Sequence, residues 1–246
     1  MNLNASLHIM KRELNSYFNS PIAYVFVSTH LFLSAFLTFY NGKLLENDMA
    51  SLDVFFKYQP WLYLMLIPAV TMKLWAEERQ RGTLELLLST PITTSQAIAG
   101  KFLAAWVLLG LTMLLTFPIP LTVIALGNPD YGPMVAGYIG CLMLSGAFLA
   151  IGSWASATSR SQIVSFLSTA TIGLLVLTAS SESVAISIQP IAPVWFIEVV
   201  HGIGFTSHYQ QMQSGLIDLR ALIYFASIIF FMLLATRVTL DNRISK

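Results

Sequence analysis

A chain of 246 residues in which 56% are hydrophobic and only 10% charged is not an ordinary soluble domain, because soluble chains carry about 25% charged residues. The length suits one helical membrane domain with half a dozen spans of about 20 residues each. The net charge of +1 comes with no basic cluster, so no nucleic-acid partner is indicated, and the single cysteine, Cys141, excludes an internal disulfide.

Residues 1–20 lack a compact apolar core and carry Lys11, Arg12 and Glu13 in their middle, which argues against a cleavable signal peptide. Leu3, Leu7, Met10, Leu14 and Tyr17 recur at spacings of four and three, with Asn4, His8, Lys11, Arg12 and Asn15 on the other face. That pattern predicts an amphipathic helix lying on the membrane, ended by Asn19-Ser20-Pro21. The first span is predicted over 22–40. His30 within it reads as a tolerated polar residue facing a neighbour. A polar loop over 41–57 leads to the second span, 58–75, where Pro60 and Pro68 are candidate points of bending.

The run from Lys73 to Lys101 is rich in both charge and turn formers, so hydrocarbon does not hold it. We read 76–101 as a water-facing loop with a short helix of its own. Gly82 permits a sharp turn, Thr83 is a good N-cap, and Glu85 lies in the first turn, where the helix dipole favours a carboxylate. Leu84, Leu86, Leu87 and Leu88 make that turn nearly all apolar, and Pro91 stops it. Thr93 with Gln96 then forms a capping box for the next helix. The leucines need either a covering protein surface or a place flat among lipid headgroups. Glu77, Glu78, Arg79 and Arg81 are either a solvated cluster at the membrane edge or a docking patch. Both pairs of readings stay open at this level.

The third span is predicted over 102–126, broken or kinked near its far end by Pro118 and Pro120, and followed by a tight turn at 128–133. A fourth span, 134–157, carries small pairs at Gly132/Ala136, Gly146/Ala150 and Gly152/Ser156 that permit close helix approach. The fifth follows at 162–180. Residues 182–218 hold apolar pieces too short to cross, interrupted by Pro190 and Pro193, and read as short helices that dip into or lie on the membrane. The last span is 219–240. With the N-terminus inside, cytoplasmic segments collect Lys11, Arg12, Lys73, Arg79, Arg81, Lys101, Arg160, Arg237, Arg243 and Lys246, whereas Lys43, Lys57 and Arg220 fall outside. The positive-inside rule therefore predicts six spans with both termini cytoplasmic.

Catalytic chemistry is not legible. Gly100-Lys101 has Ser95 where a phosphate-cradling loop needs its first glycine, so any ATP is expected on another chain. Glu198 and His201 form one Glu-x-x-His pair, whereas a di-metal site uses two such pairs and two further glutamates, so no metal is expected. His201 and His208 read as interfacial polar residues.

The run Glu77-Glu78-Arg79, then Gly82-Thr83-Leu84-Glu85-Leu86-Leu87, Pro91 and Gly100-Lys101, resembles the cytoplasmic loop of ABC-2 type transporter permeases. Lys11-Arg12-Glu13-Leu14, Tyr17 to Pro21, Gly215 to Arg220 and Ile223-Tyr224 extend the resemblance to the permeases of gliding-motility-type ABC transporters. The resemblance implies an all-α integral membrane fold like that of ABC-2, or type V, exporters. Six transmembrane helices would be joined by an interfacial helix, with short extracytoplasmic re-entrant helices before the last span. It implies that Glu77 to Leu88, with Pro91, form a coupling helix docked on a separate ABC ATPase in two copies, which would hold the ATP and Mg. Six helices enclose little, so a pathway needs a second copy of this chain, and the expected location is a bacterial inner membrane. An auxiliary membrane protein with an extracytoplasmic domain would contact the 182–218 surface, where Glu198, His201 and His208 lie. The first reading is a permease that moves a substrate; the alternative is a scaffold that only transmits force to an outer partner, and the sequence does not separate the two.

Overall fold

The computed structural model describes residues 3–42, 51–83, 92–188, 193–215 and 218–244. It is all-helical, with no strand among the described residues. Helix α1 is Leu3–Phe18, and α2 (Pro21–Phe36) starts from Ser20, whose side chain accepts from Ile22 N. Helix α2 widens into a π-turn over Leu37–Asn41. Helix α3 (Asp53–Thr71) runs on through Pro60 and Pro68, and the short α4 (Ala76–Gln80) follows. Helix α5 (Thr94–Leu115) begins at the expected capping box: Thr93 Oγ1 accepts from Gln96 N, and Gln96 Oε1 from Thr93 N. It stops at Thr116-Phe117, and α6 (Pro118–Leu126) restarts with Pro118 in its first turn, where a missing N–H costs nothing. The rest of the chain gives α7 (Tyr131–Thr158), α8 (Gln162–Ala179), α9 (Glu182–Ile188), α10 (Val194–Ile203), α11 (Phe205–Gln213) and α12 (Leu219–Ile244).

Helix α7 is the centre. Of its apolar stretch 72% is buried, against 17% for α12 and 22% for α8, and α3, α5, α8, α11 and α12 all pack on it. Small residues make this possible. A Cβ on Gly137 would fall 2.4 Å from the Phe56 ring, and one on Gly152 2.4 Å from Thr71 Oγ1. Gly146 gives room to Trp106 and Ile229. Gly132, by contrast, meets only its own turn's Asp130.

Among the described residues five helices are long and apolar enough to cross a membrane, in keeping with the expected all-α membrane fold: Pro21–Asn41, Thr94–Leu126, Tyr131–Thr158, Gln162–Ala179 and Leu219–Arg243. Several expectations are corrected. The predicted second span, 58–75, corresponds to α3, which starts earlier and takes in Asp53 and Lys57. These lower its apolarity, and α3 needs no lipid coat because most of its faces are buried against α7, α8 and α2. The turn at 128–133 is shorter than expected. Asp130 caps α7 by accepting from Gly132 N, so Tyr131 to Pro133 already belong to the helix.

In α1 the sealed face is offset from the predicted stripe: Ser6 and Ile9 are buried, while Leu7 is 42% exposed. The cause is Gly100, whose bare backbone lets Ile9 Cβ within 2.7 Å of where a side chain would begin. Between α8 and α12 the chain makes short helices as expected. Helix α11 turns inward, where Tyr209 Oη donates to Phe56 O at 2.8 Å. Helix α10 buries none of its residues.

Candidate functional site

The charged run that opens the central loop is held at its base by hydroxyls of α7. Ser156 Oγ accepts from the backbone N–H groups of Trp75 and Ala76, each at 3.1 Å, and faces Met72 O at 3.4 Å. The Trp75 indole N–H donates to Ser153 Oγ at 3.1 Å. Because Gly152 lets α3 approach within contact of α7, these short side chains reach across. The first N–H groups of a helix have no partner within it; at α4 a neighbouring helix supplies one.

From this base three elements converge on one ammonium. Lys101, on α5, is 4% exposed. Its Nζ lies 2.7 Å from Glu78 Oε1 on α4 and 3.4 Å from Glu13 Oε1 on α1, and sits over the Trp75 ring at 5.5 Å. Glu78 Oε2 is buried with no hydrogen-bond partner among the described residues, so Lys101 carries the compensation. Burial, reinforced by Glu13, Glu78 and Glu77, pushes the Tyr17 phenol well above its usual pKa, so it stays protonated. Beside the cluster lies a polar cavity of about 470 Å³ bordered by Glu13, Tyr17, Lys73, Glu77, Arg81 and Lys101.

The predicted loop residues separate into those tied to the chain and those facing outward. Glu77 pairs with Arg81 at 2.6 Å, one helical turn on. Arg79 donates to Ser159 O at 3.2 Å, binding α4 to the end of α7, and Arg243 donates to Thr158 O at 2.7 Å beside it. Glu77 and Glu78 diverge as their adjacency requires. Gly82 takes a left-handed φ of 68°, and Thr83 Oγ1 donates to Glu78 O at 3.2 Å, closing the turn. Leu84, Glu85, Leu86, Leu87, Leu88 and Pro91 lie outside the described residues. At the other end of the molecule Glu198 and His201 are exposed on α10. His208 instead stacks on Tyr224 with ring centroids 4.0 Å apart. No group of three or more metal-ligating side chains occurs among the described residues.

Sequence reasoning missed Glu13 and Lys101 as a pair of partners, and Ser153 and Ser156 as anchors. A lone lysine at the start of an apolar helix was the available signal, since a charge there needs a partner. What the arrangement does is tie α4 and the residue before it to α1, α5 and α7.

A family model described as ABC-2 family transporter protein matches residues 61–240, from within α3 to within α12. No curated protein matches the chain.

Proposed function

The chain belongs to the ABC-2 family of transporter proteins, and from that premise we propose that it is the permease subunit of an ABC transporter driven by ATP hydrolysed on a separate chain. Residues 77–91 receive the motion of that ATPase on the cytoplasmic side. The observation that carries this reading is the mooring of the loop's base: Lys101 ties α4 to α1 and α5, and Ser153 and Ser156 tie it to α7. A loop that served only as a linker would need no such buried fixings.

With Glu78 and Arg79 engaged inside the chain and Glu77 paired with the exposed Arg81, the docking surface of this reading is Arg81, Gly82, Thr83 and the apolar run from Leu84 to Leu88, and Glu85 would pair with a basic group of the ATPase. A single copy offers five candidate spans around a packed centre, so a pathway calls for two copies and two ATPases, an isologous dimer. The orientation with both termini cytoplasmic, in a bacterial inner membrane, rests on the lysine and arginine distribution. In the gliding-motility-type reading, an auxiliary protein meets the outer surface. The exposed apolar residues of α10, Val194, Trp195, Phe196, Val199 and Ile203, favour that contact, with Glu198, His201 and His208 nearby. The same surface would serve a subunit that passes force outward without moving a substrate. A polar cavity at the dimer axis separates transport from that second reading.

The test is the double variant Glu85→Arg, Leu87→Asp. It is expected to insert normally and lose co-purification with the ATPase; undiminished co-purification overturns the docking assignment.

A further inference from the structure

Inside the bundle, far from the loop, α2 and α3 meet along a polar seam. His30, Ser34 and Thr38 succeed one another at four-residue spacing on α2, each 1% exposed. Facing them on α3 are Gln59 at 0% and Tyr63 at 1%. The rungs are antiparallel: His30 stacks on Tyr63 with centroids 5.9 Å apart, and Gln59 Nε2 donates to Ser34 Oγ at 3.4 Å. Toward the end of α2, Asn41 Nδ2 donates to Tyr58 Oη at 3.0 Å in an exposed position. At the other end Phe26 stacks against His30, and nothing polar continues on α2's buried face, which carries on as Ala23.

The seam is under-satisfied. Both ring nitrogens of His30 and Oε1 of Gln59 are buried with no hydrogen-bond partner among the described residues. Tyr63 Oη makes no hydrogen bond of ordinary length; the Cys141 thiol near it is only a weak donor and acceptor. Hydrocarbon offers such groups nothing, and leaving them bare is costly. A neutral imidazole brings one donor and one acceptor, the phenol a donor, and the amide oxygen an acceptor. Donors and acceptors of this kind, left unpaired in a buried seam, are what a buried water with two to four partners bridges.

We infer that the seam between α2 and α3 is a hydrated site, holding water between His30, Gln59 and Tyr63 and closed on one side by Phe26. The water fills hydrogen bonds that the packed helices leave open. The inference holds whatever the protein transports.

The full chain, labelled with ¹⁵N-histidine and placed in lipid bilayers, tests it by solid-state NMR. Replacing His8, His201 and His208 with Gln leaves His30 as the one histidine of the original four. The expected result is transfer of magnetisation from water protons to the His30 ring and ¹⁵N shifts of a neutral, hydrogen-bonded imidazole. A His30 signal without water transfer, under conditions where His201 of the unsubstituted chain shows it, overturns the proposal. If the triple variant does not fold, the spectrum of the unsubstituted chain minus that of His30→Gln gives the same readout. Tyr63→Phe is expected to cut the transfer at least twofold, and unchanged transfer would place the water elsewhere and overturn the site as drawn.

Discussion

At the scale of single residues, Lys101 is the group on which the loop's base depends. Removing one member of a buried ion pair strands its partner, at a cost of about 3–5 kcal/mol. Lys101→Met is therefore expected to destabilise the protein on the order of 3 kcal/mol and to release α1, read as a lower unfolding midpoint in detergent and faster proteolysis within residues 1–20. Lys101→Arg, which keeps the charge, should restore most of the protection. Ser156→Ala removes the acceptor of two backbone N–H groups and should cost about 1–3 kcal/mol, seen as faster amide exchange at Trp75 and Ala76. These roles were only half legible in the sequence. The charge of Lys101 stood out, but its partners Glu13 and Glu78 lie far apart along the chain and are joined only by packing. Ser156 was read as a small packing residue, which it is. Its hydroxyl became an anchor because Gly152, one turn earlier, brings α3 within reach.

At the scale of elements, helix starts and stops were the most readable feature, since caps and prolines act locally. Thr93 with Gln96 opens α5, and Pro118 restarts the chain as α6. Faces were less readable. Leu7 belongs to the apolar stripe yet stays exposed, while Ser6 and Ile9 are sealed, because the decisive signal was a glycine on another helix. The same close contacts set the sensitivity of the α3–α7 pair. Gly152→Val would drive carbon into Thr71, and we expect a loss of about 1–3 kcal/mol, measured as a lower melting temperature, whereas Gly202→Val, where a side chain meets open space, should change it little. Apolarity alone also misled: α3 scores as less suited to lipid than the five candidate spans, although its buried faces make it one of the best-packed helices in the molecule.

At the scale of the whole molecule, a buried α7 is ringed by helices whose outer faces remain apolar and exposed, among them α8 with Ile163, Val164, Leu167 and Leu175, and α12 with Phe230 and Phe231. Such a surface belongs in a bilayer or against another apolar surface. Sidedness is testable directly. Cysteines placed at 77–83 in a Cys141→Ser background are expected to resist an impermeant thiol reagent applied outside intact cells, whereas cysteines at Asn41 and Glu198 should react. The reverse pattern would invert the assignment.

The stitching of Trp75 and Ala76 to α7 also bears on how this segment can be exchanged between proteins. Moved into a relative whose chain lacks hydroxyls at the positions of Ser153 and Ser156, residues 75–93 would lose their mounting. Transplanted together with those two serines, the segment carries its mounting with it. The unit of inheritance is thus the segment plus two distant side chains on a different helix.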